Sequence, residues 1–412
     1  MAQHGQSGKI VIELDPELKR RLYAALAMSR STLKDWFMKK AEEYCAPKIQ
    51  PQARSKKAYA RKQSGGASTV MENEAPPYGV TGTSAFPVEL EFAPQKMSKR
   101  PEGRSTKNYS LVSMFAGCGG MDLGFTGGFE IFGRRYRAHP FELIWANELN
   151  PEACKTYERN LNHKIACGDI WSLIDSMPKQ ADVLIGGFPC QDISVNGKRA
   201  GVNGARSGLY KAMVEAIRRI QPRVFVAENV KALLRHPEWL HQVLTDFRAL
   251  GYEVNYGLYK AADYGVPQTR ERVIFVGTRK GESEFFPPTA ERNASNWMTA
   301  KEAIGDLEQL ELCPQINHIW SLANVSPEQG NRRLLPNRPG YTIRAECHGN
   351  IQFHYRLPRR ISMREAARIQ SFPDKFVFAS KLREIERQVG NAVPPVLAWH
   401  IAKSVVECLD AK

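Results

Sequence analysis

From Tyr109 onward the chain alternates short apolar runs with amphipathic stretches, and this rhythm limits its fold more than any single residue does. Ser110–Phe115, Leu143–Ala146, Val183–Ile185, Val224–Val226 and Val273–Val276 are too short for core helices, yet apolar enough to be covered on both faces. Separated by helical text, such runs predict an α/β fold: a mostly parallel sheet with helices on both sides. The rhythm stops from 279 to about 358, where Pro, Asn, Arg and turn residues dominate. It returns with Ile361–Gln370, and Val396–Cys408 has the spacing of a helix that packs back on the sheet.

Before residue 108 the text differs. Lys9–Leu14 is a β-rich run with Ile10, Ile12 and Leu14 on one face. Asp15-Pro16 opens a helix carrying Leu18, Leu22 and Leu26, and a second helix follows, capped by Thr32 with Asp35. Strand, helix, helix over residues 1–46 resembles the ribbon-helix-helix DNA-binding fold. That resemblance implies a homodimer paired through its strands, with outward side chains in the major groove. An amphipathic docking or oligomerisation module fits the same pattern. Residues 47–107 lose apolar periodicity and read as a basic flexible linker, marked by Lys56-Lys57, Arg61-Lys62 and Pro76-Pro77.

Composition narrows the partners. The 412 residues are 42% hydrophobic and 25% charged, which is globular text, and the net charge of +15 favours a polyanion. About half of that excess lies before residue 109. No apolar run approaches the roughly 20 residues that span a bilayer, and the first residues lack a signal-peptide core. Eight cysteines without a CxxC pair suggest reduced thiols, and no ligand cluster argues for a metal. The expectation is a cytoplasmic protein with no membrane association.

The chemistry is concentrated after the strands. Phe115-Ala116-Gly117-Cys118-Gly119-Gly120 follows the first strand, where glycines let a ligand approach the backbone at a helix start. The spacing is not GxGxxG, so a dinucleotide is not the natural guest. Glu148 ends the next strand, where an acid can hold ribose hydroxyls, and Asp169-Ile170 can meet an adenine amino group and ring. Together these read as an adenosine site without phosphates. Gly187-Phe188-Pro189-Cys190-Gln191 ends the third run, and a thiolate at that sheet edge is a candidate nucleophile. Cys118, Cys154, Cys167 and Cys313 read instead as small buried apolar residues. Glu228, in Glu228-Asn229-Val230, is the natural acid partner of Cys190. If Gln268–Arg272 is extended, Gln268, Arg270 and Arg272 share one face. An arginine pair there suits carbonyl or anion recognition, or a structural ion pair.

In this order the motifs resemble those of bacterial DNA (cytosine-5)-methyltransferases of restriction-modification systems. They are Phe115-x-Gly117-x-Gly119, Pro189-Cys190-Gln191, Glu228-Asn229-Val230, Gln268-x-Arg270-x-Arg272, Arg364–Pro373 and Gly390-Asn391-Ala392-Val393-Pro394-Pro395. The resemblance implies a Rossmann-like core that uses S-adenosyl-L-methionine, with a smaller target-recognition domain. It implies that Cys190 attacks C6 of a flipped-out cytosine, Glu228 acts at N3, and Arg272, supported by Arg270, holds O2. It assigns Phe115, Gly117, Gly119, Glu148, Asp169, Ile170, Leu209 and Asn391 to the cofactor. Asp192–Gly204 becomes a closing loop, with Ser194 and Arg206 on phosphates.

The implied layout is 108–278 catalytic, 279–384 target recognition, and 385–412 completing the catalytic domain. Gln268, Arg344, His348 and Asn350 join the expected contacts to double-stranded DNA. A cognate restriction endonuclease becomes a functional partner, and residues 1–46 an autoregulator of transcription. A tRNA cytosine-5 methyltransferase on the same scaffold is the alternative. N4-cytosine and N6-adenine chemistry is disfavoured, because Pro189-Cys190-Gln191 replaces the Pro-Pro-aromatic site it needs.

Overall fold

The computed structural model describes residues 108–188, 208–322, 332–345 and 352–411. The chain divides into two compact units, Met1–Ala85 and Phe86–Lys412. The expected strand–helix–helix module and its linker lie outside the described residues.

In the second unit, β1 (Tyr109–Met114) leads through the glycine-rich turn into α1 (Gly120–Thr126). A small hairpin, β2 (Phe129–Ile131) and β3 (Arg134–Tyr136), precedes β4 (Phe141–Glu148), α2 (Pro151–Leu161), β5 (Ala166–Cys167) and α3 (Ile170–Leu173). Next come β6 (Val183–Gly187), α4 (Gly208–Ile220), β7 (Val224–Val230) and α5 (Pro237–Ala249). The sheet is completed by β8 (Tyr252–Lys260) and β9 (Glu271–Arg279). Four further helices follow: α6 (Ala300–Ile304), α7 (Met363–Ile369), α8 (Leu382–Asn391) and α9 (Pro395–Asp410).

Seven strands form one sheet in the order β5-β4-β1-β6-β7-β9-β8. The pairs from β5 to β7 are parallel, while β9 runs antiparallel to both β7 and β8. From β1 the chain moves outward to β4 and β5 on one side; β6 and β7 lie on the other. The strand order therefore reverses between β1 and β6, where open α/β sheets bind ligands beyond the carboxyl ends of their strands.

Continuous apolar runs follow from burial on both faces. Leu111, Val183, Ile185, Val224, Val226 and Ile274 face one layer with Phe125 of α1 and Leu397 and Ile401 of α9. Val112, Met114, Leu184, Phe225 and Phe275 face the other, with Met213 and Ile217 of α4 and Phe247 of α5. Phe225 sits opposite Gly277, where a Cβ would come within 2.0 Å of its ring, so the strand pair needs glycine there.

A third core surrounds α7 and includes Ile343, Met363, Ile369, Phe372 and Val389. Ser362 and Glu365 cap α7 reciprocally, at 3.0 and 2.7 Å. Arg364, fully buried, donates to the carbonyls of Ile316 (2.7 Å), Pro373 (3.1 Å) and Phe376 (2.7 Å). Burial lowers its pKa to about 10, which still leaves it charged at neutral pH. Among the described residues, no helix is long and apolar enough to cross a membrane.

Candidate active site

A cleft of about 780 Å³ opens at the carboxyl ends of β1, β4, β6 and β7. It brings together Phe115, Gly117, Glu148, Glu228, Arg270 and Arg272, with Arg344 and Asn391 also on its wall. These residues are up to 276 positions apart in sequence; the parallel strands bring together Phe115, Gly117, Glu148 and Glu228, while antiparallel β9 and the segments after it bring the rest.

The turn after β1 is sharply folded. Phe115 takes φ 54, which is unusual for a residue with a side chain, and Gly117 and Gly119 take φ 59 and 92. Glu148 braces the turn: its Oε2 accepts from Gly117 N–H at 2.9 Å and its Oε1 from Asn150 N–H at 2.8 Å. A carboxylate has about four acceptor sites, so hydroxyl donors can still bind. Gly119 packs away from the cleft, where a Cβ would lie 2.3 Å from Leu161 Cδ1 of α2. Its positive φ thus serves the turn and helix packing.

Phe115, Ile170 and Leu209 pack in the same apolar layer beside this turn. Asp169 is exposed and caps α3 through Trp171 N–H at 2.8 Å. The cleft wall itself does not include Asp169, Ile170, Leu209 or Gly119.

The opposite end of the cleft is charged. Glu228 is 8% exposed, and its Oε1 lies 2.7 Å from Arg272 Nε. β7 and β9 pair Val230 with Arg272, which sets the two side chains on neighbouring strands. Arg270 is buried and donates to the carbonyls of Ile343 (3.0 Å) and Gly390 (2.9 Å). Burial and the nearby Arg272 hold its pKa well below the usual arginine value. It ties the Thr342–Ala345 wall to the end of α8.

Gln268, expected at the DNA surface, is fully buried instead. Its amide donates to Ile369 O (3.1 Å) and Gln370 Oε1 (2.5 Å), and its oxygen accepts from Ile343 N–H (3.1 Å). Of the expected common face of Gln268, Arg270 and Arg272, the arginine pair lines the cleft while Gln268 does not. Strand β9 begins only at Glu271, and Gln268 and Arg270 meet at Ile343, through its N–H and its carbonyl. Arg344 is exposed at the cleft wall. Cys190, Ser194, Arg206, His348 and Asn350 lie outside the described residues. Of the cysteines read as buried apolar residues, Cys118 and Cys154 are buried, Cys167 is exposed and Cys313 is intermediate.

Two residues gained no role from sequence. Asn229 Nδ2 holds the Phe188 carbonyl at 3.2 Å, anchoring the backbone just before Pro189-Cys190-Gln191. Gln370 Nε2 holds the Ala392 carbonyl at 2.5 Å, joining α7 to the Asn391–Pro395 turn. Their signal was the motif position itself: each stands inside a matched run. Among the described residues, no group of three or more His, Cys, Asp or Glu could hold a metal ion.

The sequence matches the family model described as C-5 cytosine-specific DNA methylase over residues 109–324 and 314–407. It is 35% identical over 338 residues to type II methyltransferase M.NgoFVII of Neisseria gonorrhoeae, covering 73% of this chain and 87% of that one. Type II methyltransferase M.FnuDI of Fusobacterium nucleatum is 35% identical over 343 residues, covering 73% and 95%. Among solved structures, a DNA modification methyltransferase encoded within an E. coli prophage superposes with TM-score 0.54 at 22% identity, covering 74% of this chain and 100% of that one. The S. pombe Dnmt2 methyltransferase superposes with TM-score 0.54 at 17% identity, covering 73% and 98%.

Proposed function

The chain belongs to the C-5 cytosine-specific DNA methylase family, and from that premise we propose that it transfers a methyl group from S-adenosyl-L-methionine to C5 of a cytosine within a specific double-stranded DNA sequence. As in its type II relatives, the modification would protect DNA from a cognate restriction endonuclease. The observation that carries the reading is the buried Glu228–Arg272 pair, in one cleft with the glycine turn and Glu148. With Glu228 only 8% exposed, a base stacked in a duplex cannot reach it. The cytosine must therefore be flipped out, at a cost of about a few kcal/mol.

The residues fit the cofactor. Phe115, on the cleft wall, offers its ring to the adenine, with Ile170 and Leu209 packed in the apolar layer behind it and Asp169, exposed beyond that wall, assigned to the amino group. Glu148 keeps acceptor sites for ribose hydroxyls. Backbone at Gly117, with Asn391, takes the methionine part, and Gly119 shapes the turn that presents it. When bound, the cofactor supplies an electrophilic methyl group on sulfur.

The protein's own work is to make C5 a nucleophile. The Cys190 thiolate adds to C6, and the C5–C6 π electrons move to C5. Glu228 hydrogen-bonds at N3 and draws charge into the ring, while Arg272 holds O2 and orients Glu228. Arg270 acts one layer back, fixing the wall against which the base rests. After transfer, the C5 proton leaves, the C5–C6 double bond re-forms and the thiolate is expelled. Asn229, gripping Phe188, keeps the start of the Cys190 loop in register with Glu228.

A duplex bearing 5-fluorocytosine at the target tests this chemistry, because the fluorine cannot leave as a proton. A covalent protein–DNA adduct through Cys190 is expected on gel and by peptide mass; turnover without an adduct would exclude the covalent route. Glu228→Gln is expected to lower the single-turnover rate by about 10²–10⁴-fold with cofactor affinity within a few-fold. Equal losses in both would remove its role at N3. We assign residues 1–46 to DNA binding, in autoregulation and homodimer formation. A chain starting at Lys107 should then methylate DNA while promoter binding disappears, and loss of methylation by a folded truncation would overturn this division.

A further inference from the structure

Beneath the glycine turn, one buried carboxylate has half of its hydrogen-bonding capacity unmet. Asp122, the third residue of α1, is 0% exposed and lies on the cleft wall with Ser113, Cys118 and Glu148. Its Oδ1 accepts from Tyr157 Oη at 3.0 Å, while Oδ2 is shut from water with no hydrogen-bond partner. The Ser113 hydroxyl is near enough to favour the charged form without completing a bond to Oδ2.

The surroundings supply no positive charge. Ser113 comes from β1, Tyr157 from α2, and the thiol of Cys118 from the turn; Glu148 stands beyond. α9 meets α1 through Pro395 and Ala398, around Gly124. Among the described residues, no Lys or Arg hydrogen-bonds or ion-pairs with Asp122. Burial accordingly raises its carboxyl pKa to about 6, against which the helix start and two hydroxyls give partial relief. A buried carboxylate without a cation is unfavourable. Among the described residues nothing supplies the cation that would complete it, and the cleft above it opens to a ligand.

We propose that Asp122 is the counter-charge for the cationic methionine end of the bound cofactor, acting from one layer beneath the glycine turn. It rests on the methyltransferase reading above, since S-adenosylmethionine brings both an ammonium and a sulfonium to this end of the cleft. The attraction crosses a low-dielectric layer and needs no direct contact. Its signature is a proton: binding converts the Asp122 carboxylic acid to carboxylate and releases that proton to solvent.

The test is calorimetric binding of S-adenosylmethionine to the full chain, in two buffers of different ionisation enthalpy. About half a proton should leave per cofactor near pH 6, and little near pH 7, where Asp122 is already mostly ionised and the cofactor's amino group (ordinary pKa about 7.7–8.0) is still mostly protonated. Asp122→Asn should abolish the release and weaken cofactor binding near pH 7 by roughly tenfold. A desamino cofactor analogue should lose less affinity in the variant than the natural compound does. Unchanged proton release in Asp122→Asn would overturn the proposal. Should that variant fail to fold, Tyr157→Phe offers the second route: removing the donor should move the release to higher pH, and an unmoved profile would overturn it. Cofactor binding with no release speaks against Asp122 alone, whereas no binding at any pH would overturn the methyltransferase reading as well.

Discussion

Cys190→Ser is expected to bind DNA and S-adenosylmethionine nearly as the parent does and to transfer no measurable methyl group. The loss should be at least about 10⁴-fold in single-turnover rate, because a serine hydroxyl is almost wholly protonated at neutral pH and no general base is assigned to it. What remains in the variant is the Glu228–Arg272 pair at 2.7 Å and the cleft around it, which bind and polarise the base without making C5 nucleophilic. The variant should give no adduct with 5-fluorocytosine DNA. Methyl transfer within a few-fold of the parent would mean that C5 is activated without a covalent bond to sulfur.

Arg364→Leu should give the largest change in stability, about 3–5 kcal/mol, with a Tm drop on the order of 10 °C. The guanidinium joins three carbonyls from Ile316, Pro373 and Phe376, and no water can replace it in a core where its own exposure is 0%. Removing the cation spares its desolvation but leaves the Ile316 and Phe376 carbonyls unmet, while Pro373 O keeps the Phe376 N–H; the loss of the two acceptors is the larger effect. Arg364→Lys should recover only part of the loss, since an ammonium cannot reproduce the fork. Thermal unfolding of the two variants measures this directly, and a Tm within about 2 °C of the parent for the leucine variant would contradict it.

The sheet was legible because each of its inner strands is buried on both faces, so Val183–Ile185 and Val224–Val226 stand out as uninterrupted apolar runs. Strand β8 was not: Tyr252–Lys260 is an edge strand with Tyr256 and Leu258 each 41% exposed, so its text mixes polar and apolar residues. Nor does an apolar run carry its direction, and the reversal of β9 depends on the path through β8. Motif order located the site, but not which side chains face it. Gln268 stands in the same run as Arg272, yet its amide is spent on Ile369 and Gln370 and it is absent from the cleft wall, because tertiary acceptors compete for its donors. Asp122 gave no signal at all: an acid in the first turn of a helix reads as a dipole partner, and only its missing neighbours distinguish it.

The packing of α9 onto α1 has a consequence for synthesis on the ribosome. A Cβ at Gly120 would stand 2.5 Å from the Val393 carbonyl, and one at Gly124 would stand 2.6 Å from the Pro395 carbonyl, so the two segments touch backbone to backbone. The turn that emerges first thus receives its last supporting wall only when residues near 400 leave the exit tunnel. A nascent chain stalled after β9 has every strand of the seven-stranded sheet and still lacks the finished pocket, so cofactor capture waits for α9.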